Sequence, residues 1–406
     1  MNYIKRDMEK LVRELTKEYA CILITGPRQV GKSTILNHIE EVRNKVTLDD
    51  LQERNLAKND PEMFLKLHKA PILIDEVQYA PELFSYIKIA IDNGAHPGSF
   101  WLTGSQSYKL MELAQESLAG RVAILNLTTL SQNEIFGGEE IIPFDIDIDN
   151  LQKRFTNKKP ANLEDIYKRI WDGGLPGLLS GKYTNRDIYY SSYLQTYLYR
   201  DVKEEIEVKD DIKFVDFIRA VACRVGQELN IHSIANDVEV SDDTAKRWLS
   251  MLEKSEVIFL LHPYSNNLLK RAIKTPKLYF FDTGLACYLT KHSNPEILQN
   301  SSYNGAILEN YIVNEIRKSY LNAGKELFMY YYRDKEQREI DLILENNGLL
   351  HPIEIKKSSN PVPSMVKNFS ILHKSSISVG QGAIICMKDT LSALDSETLI
   401  IPIWYI

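Results

Sequence analysis

Short apolar runs and helical patterns alternate through the first third of the chain. The runs are CILIT (Cys21 to Thr25), KVTLD (Lys45 to Asp49), PILIDE (Pro71 to Glu76), SFWLTG (Ser99 to Gly104) and RVAILNL (Arg121 to Leu127), with helically spaced segments between them. Runs of this length read as strands, and strands separated by helices build βαβ units and a mostly parallel sheet. The pattern breaks at EEIIPFDIDIDNLQKRFTNKKPAN, an acidic then basic stretch bounded by Pro143 and Pro160, which places a boundary near residue 145.

From Asn162 to about Glu207 the spacing is helical and rich in tyrosine, with a break at WDGGLPGLL where glycines and a proline end any helix. The tyrosines read as packing residues. Asp211 to His262 predicts three helices and a β-ribbon, the outline of a winged helix-turn-helix whose second helix opens at Ser241 or Asp242. The last hundred or so residues predict a helix (ILENYIVNEIRKSY), strands at FMYYYR, EIDLIL and PIEIKKS, a helix over Val362 to Lys374 and a strand at GAIICM. The expected division is 1–145, 146–210, 211–300 and 301–406.

A chain of 406 residues is long enough for two to four such units. With 44% hydrophobic and 26% charged residues it is ordinary globular material, and a net charge of −6 argues against a protein that coats DNA or an anionic membrane. Cys21, Cys223, Cys287 and Cys386 stand singly in apolar surroundings, which suits buried reduced thiols. The first twenty residues mix charges into their apolar positions and read as an amphipathic surface helix rather than a leader. No run approaches the ~20 apolar residues of a membrane span. The expectation is a cytoplasmic protein without a membrane partner.

Gly26-Pro27-Arg28-Gln29-Val30-Gly31-Lys32-Ser33, followed by Thr34, matches GxxxxGK[ST] between a predicted strand and a predicted helix. Glycines there let backbone N–H groups curl around phosphate oxygens, and the following helix start adds positive potential. Lys32 supplies a point charge and Ser33 a Mg²⁺ ligand. Some forty residues on, the run ILI ends in Asp75 and Glu76. Asp75 is placed to hold the metal through water, and Glu76 to orient or deprotonate an attacking water. The strand ending at Gly104 carries Thr103, Ser105 and Gln106 to the same sheet edge, as phosphate-sensing candidates beside the alternative of a plain turn. Arg121 is the remaining basic candidate, either an arginine finger for its own or a neighbouring site or a surface salt bridge.

The run GPRQVGKST, with LIDEVQ, LTGSQ and LAGR, resembles the AAA+-type ATPases of the AAA_14 group, and WDGGLPGLL, YLQTYLYRD, YFFDTGLACYL and GAILENYIVNEI are similar to the DUF4143 region that typically follows them. The resemblance spans nearly the whole chain. It implies ATP as the nucleotide.

Glu309 on a helix, Asp341 on one strand and Glu354 with Lys356 on the next form a second constellation. Residues two apart on a strand share a face, so Glu354 and Lys356 can meet Asp341. The set resembles the PD-(D/E)xK nuclease-like fold, which implies Asp341 and Glu354 as Mg²⁺ ligands, Lys356 activating water and Glu309 supporting the metal. The alternative is a row of exposed charge pairs. Lys246, Arg247, Lys254, Lys270, Arg271 and Lys274 could contact phosphates of DNA, but acids balance them, and Asp242 and Asp243 sit at the helix start. His232 and His262 read as structural. The leading expectation is a Mg²⁺-dependent ATPase acting as a switch or motor near nucleic acid. The alternative is a slow ATP-bound regulator whose C-terminal unit holds a protein partner or a second copy.

Overall fold

The structure is a computed structural model that describes residues 3–39, 42–105, 114, 116–138, 141–155, 160–198, 211–265 and 275–406. Its first sheet contains β1 (Cys21–Thr25), β2 (Asn44–Thr47), β3 (Ile72–Asp75), β4 (Phe100–Thr103) and β5 (Val122–Asn126). All five expected runs are therefore strands. They lie parallel in the order β2-β3-β4-β1-β5. Every residue of β1 is buried, as a central strand covered on both faces must be.

Alternation along the strands splits the packing between those faces. Cys21, Leu23, Ile72, Ile74, Phe100 and Leu102 join one core, with Ala57, Phe64, Phe84 and Ile87 from helices Leu51–Asn59, Pro61–Leu67 and Leu83–Asp92. Asp50 and Asp60 start the first two of these helices, their carboxylates accepting from Gln52 and Glu53 N–H and from Met63 N–H. Ile22, Ile24, Trp101, Ala123 and Leu125 face the other way, into a core that runs on through the rest of the molecule. Met8 and Val12 of helix Met8–Leu15 are buried in it, so that helix is clamped down on one side.

The middle region forms helices Leu163–Asp172, Pro176–Leu179 and Arg186–Tyr193. The expected glycine break between them is anchored by the buried carboxylate of Asp282, which accepts from Gly174 N–H at 2.7 Å, Leu285 N–H at 2.7 Å and Tyr190 Oη at 2.8 Å. Gly284 fits against that cluster only without a side chain, since a Cβ there would lie 2.1 Å from Tyr190 Oη. Helices Asp211–Ala222, Ile231–Asp237 and Asp242–Lys254 follow, and then the antiparallel ribbon β6 (Ile258–Leu261) and β7 (Lys277–Phe280). Lys270, Arg271 and Lys274 lie outside the described residues.

Helix Asn304–Asn322 leads into a mixed sheet of β8 (Phe328–Arg333), β9 (Glu339–Asn346), β10 (Leu349–Ile355), β11 (Ser378–Val379), β12 (Gly382–Cys386), β13 (Ser392–Ala393) and β14 (Thr398–Pro402). The order is β13-β14-β12-β10-β9-β8, with β11 beside β10. The helix expected over 362–374 is instead two 3₁₀ turns, Pro363–Val366 and Phe369–Lys374. Asn368 between them donates to the Glu339 carbonyl at 2.9 Å, a polar anchor that competes with helical pairing. The cysteines are unpaired; three are buried, but Cys223 is exposed, contrary to its apolar sequence surroundings. Among the described residues no helix is long and apolar enough to cross a membrane.

Candidate functional site

Parallel strands end together, so the loop after β1 and the residues ending β3 and β4 share one edge of the sheet. Gly26 leaves β1 with φ +139°, and a Cβ on it would stand 2.1 Å from the Leu127 carbonyl oxygen, so only glycine lets the loop pass the extension of β5. Gln29 and Gly31 also take positive φ, 64° and 95°, and Gly31 caps helix Lys32–His38. The fold of the loop is braced from outside by Arg6, whose guanidinium donates to Val30 O (2.7 Å), Thr128 O (2.8 Å) and Glu134 Oε1 (2.8 Å). Sequence reasoning missed Arg6, since a lone arginine in an amphipathic stretch carries no signal.

Lys32 is buried, with its Nζ donating to the carbonyls of Gly26 (3.0 Å) and Pro27 (2.8 Å). Burial pushes its ammonium down to about 8 and Arg28 adds to the fall, while Glu76, Glu256 and Asp75 pull it back. Ser33 Oγ donates to Asp75 Oδ1 at 2.6 Å, and Thr103 Oγ1 donates to the same oxygen. Glu76 follows in a left-handed conformation, φ 59°. Its N–H donates to Thr103 Oγ1 at 3.3 Å and its carboxylate accepts from Gln78 Nε2. Thr103 thus bonds both residues, because β4 lies next to β3, between it and the phosphate loop that follows β1. Ser105 lies two residues past β4, and Gln106 is outside the described residues.

At Lys32, Ser33 and Glu76 opens a cavity of about 480 Å³, lined by Gln29 to Thr34 and Glu76, by Tyr3, Ile4 and His38, and by Pro176, Gly177, Lys182 and Tyr183 of the middle region. That volume is in the usual ~300–1,000 Å³ range of small-ligand sites. Tyr3 stacks on His38 with ring centroids 3.6 Å apart, and the Gln29 Oε1 atom is buried without a partner among the described residues. An unmet acceptor, a buried ammonium and the hard-oxygen pair of Ser33 and Asp75 fit a nucleotide with a divalent cation. Arg121 does not belong to this set. It precedes β5, at the opposite edge of the sheet, and pairs with Asp92 at 2.6 Å, so it is placed as the surface salt bridge rather than as a finger for its own site.

The C-terminal constellation does assemble, with partners the sequence did not reveal. Lys277 of β7 reaches Glu309 (2.9 Å) and Glu339 (2.5 Å), Tyr279 Oη donates to Glu309 at 2.6 Å, and Lys356 reaches Asp341 (3.1 Å) and Glu354 (2.5 Å). Ile355 N–H donates to Asp341 at 2.8 Å. Burial pushes Glu354 up to about 8, with Asp341 adding to the rise and Lys356 opposing it; burial pushes Glu309 up to about 6 against Lys277. Burial disfavours the Lys277 charge, but the surrounding carboxylates outweigh it and hold the ammonium above its usual range. Among the described residues no group of three or more acids, histidines or cysteines is disposed to hold a metal. Glu309, Asp341 and Glu354, expected as metal ligands, are bonded to two lysines, Glu309 to Lys277, and Asp341 and Glu354 to Lys356, the lysine expected beside them. Lys277 escaped notice because KLYF reads as an edge strand with a solvated charge.

Residues 18–136 match the profile of an AAA domain, AAA_14, residues 163–296 that of a domain of unknown function, DUF8612, and residues 304–406 that of DUF4143, likewise of unknown function. The uncharacterized protein Rv2008c of Mycobacterium tuberculosis is 29% identical, over 88% of this chain and 75% of that protein. Another, MJ1637 of Methanocaldococcus jannaschii, is 25% identical, over 82% of this chain and 74% of its own. Among solved structures, the Walker-type ATPase PABY2304 of Pyrococcus abyssi aligns at 16% identity and a TM-score of 0.44, covering 71% of this chain and 96% of that one.

Proposed function

The chain carries an AAA_14 domain with the parallel sheet of a P-loop ATPase and, at its other end, a DUF4143 domain, and from that premise we propose that it is a Mg²⁺-dependent ATPase whose nucleotide state is passed to the C-terminal unit. The observation that carries this reading is the buried Lys32 lining a cavity together with Ser33 and Glu76, with Asp75 and Thr103 bonded to one another beside Ser33. Backbone N–H groups between Arg28 and Thr34, with the Lys32 ammonium, bind the phosphates. Ser33 and Asp75 hold the cation, which offsets phosphate charge when bound. Glu76, steadied by Gln78 and Thr103, orients the attacking water and accepts its proton. Tyr3, His38 and Tyr183 enclose the base, and Thr103, sharing Asp75 with Ser33, reports on the terminal phosphate.

Transmission to the C-terminal unit rests on buried contacts just past β5. Gln132 N–H donates to Glu315 at 2.7 Å, and Lys318 Nζ donates to the Leu130 carbonyl at 2.9 Å. Metal-dependent DNA cutting is not part of the proposal, which is carried by the phosphate loop and its acids alone. Phosphate release with and without Mg²⁺ tests the reading. Lys32→Ala should lose nucleotide binding, and Glu76→Gln should bind ATP but not hydrolyse it. Parental turnover in both variants would overturn it. Added DNA decides the surroundings: stimulation favours action near nucleic acid, and indifference favours a protein-directed switch.

A further inference from the structure

The sheet places Asp75 on the β4 and β3 side of the phosphate loop, whereas the β5 side of the loop is met by residues from both later segments. Glu256, in the turn between helix Asp242–Lys254 and β6, is buried in a left-handed conformation with φ 53°. Its carboxylate accepts from Asn126 Nδ2. Asn126 is the last residue of β5 and pairs with Thr25, the residue before the loop. The guanidinium of Arg317, from helix Asn304–Asn322, lies over the rings of Phe281 (4.3 Å) and Phe259 (5.2 Å). Phe281 N–H donates to the Val257 carbonyl at 3.1 Å, which brings Arg317 beside Glu256. Arg317 Nη1 is buried and has no partner among the described residues. Glu256, held by Asn126, thus lies within electrostatic reach of both Lys32 and Arg317.

We propose that Glu256 and Arg317 form a relay that distinguishes nucleoside triphosphate from diphosphate, in which the terminal phosphate displaces Glu256 from Asn126 toward Arg317. This rests on the ATPase reading. A terminal phosphate adds negative charge next to Lys32, which repels Glu256. The open hydrogen bond at Arg317 Nη1 gives the carboxylate somewhere to go, since a buried unmade donor is costly. The helix of the C-terminal unit is then held more tightly when triphosphate is bound than when diphosphate is.

The test uses the full chain in Mg²⁺ buffer with ADP and the imido analogue of ATP, measuring affinities by calorimetry and hydrogen exchange along helix Asn304–Asn322. Glu256→Gln keeps the shape but removes the repulsion. It should tighten the analogue about tenfold and ADP less than about threefold. In the parent the analogue should slow exchange in the helix relative to ADP. Arg317→Met removes the carboxylate's destination, so it should weaken the analogue relative to ADP and lose that slowing, and it carries the test if Glu256→Gln does not fold. Equal shifts for both nucleotides in Glu256→Gln, or an unchanged exchange difference in Arg317→Met, overturn the relay alone. A parent that binds neither nucleotide overturns the ATPase reading and the relay with it.

Discussion

Lys32 should take up a proton when a triphosphate binds. In the free protein burial holds its ammonium down to about 8. Contact with phosphate oxygens favours the charged form and returns it to or above the ordinary ~10.4. The complex then binds more protons than the free protein, so affinity must fall as pH rises past the free value. With a free pKa of about 8 the lysine is about nine-tenths protonated at pH ~7 and about one-tenth at pH ~9. The dissociation constant should therefore rise about tenfold over that interval, about 1.4 kcal/mol. A terminal phosphate titrates near ~6, below this window, and does not oppose the trend. Calorimetry at pH ~8.5 in two buffers of unequal ionisation enthalpy should show about three-quarters of a proton taken up per nucleotide. A dissociation constant that stays flat from pH ~7 to ~9, with no dependence on buffer, would refute the argument.

Gly26→Ala should leave circular dichroism unchanged and abolish nucleotide binding, because the new Cβ would meet the Leu127 carbonyl at 2.1 Å and the loop must move away; binding within threefold of the parent on titration with a fluorescent nucleotide would contradict it. Arg6→Met strips the cation from a Glu134 side chain with no exposed surface and should cost about 3–5 kcal/mol in urea unfolding. Adding Glu134→Gln should recover part of that loss, and additive costs would count against a coupled pair. Glu354 keeps its proton up to about 8 when folded but releases it near the ordinary 4.5 when unfolded, so it makes stability decline as pH rises between those values. Glu354→Gln should flatten that decline in thermal unfolding followed from pH ~5 to ~8, and an unaltered slope would speak against a proton held on Glu354.

Strands were the most legible part of the sequence. Four of the five N-terminal runs are short, mostly apolar and bounded by turn residues, and buried parallel strands need little else; KVTLD, at the exposed edge strand β2, shows only alternation. The phosphate loop was legible for a similar reason: GPRQVGKS has to supply glycine geometry and a lysine at fixed spacing, and local sequence alone supplies both. Arg6, Tyr3, Glu256 and Arg317 were not. Each reaches the site from a distant segment, and nothing in its neighbourhood distinguishes it from a surface residue. The C-terminal acids fall in between. Strand alternation correctly put Glu354 and Lys356 beside Asp341, yet their role depends on Lys277, which enters from a different segment and a different sheet. The 3₁₀ turns around Asn368 mark the opposite failure, in which periodicity suggested a helix and one side-chain hydrogen bond decided otherwise.

The second core is continuous from Met8 and Ile22 through Trp248 to Ile401 and Trp404. Cutting the gene between its three matched regions would split that oil-filled interior instead of trimming a tether, and each piece would present a raw greasy wall to water. Whoever dissects this protein should expect inclusion bodies from fragments and informative behaviour from point changes in the intact polypeptide. Over evolutionary time the same constraint would make the three regions travel as one cargo, since none could be traded away without ruining the others.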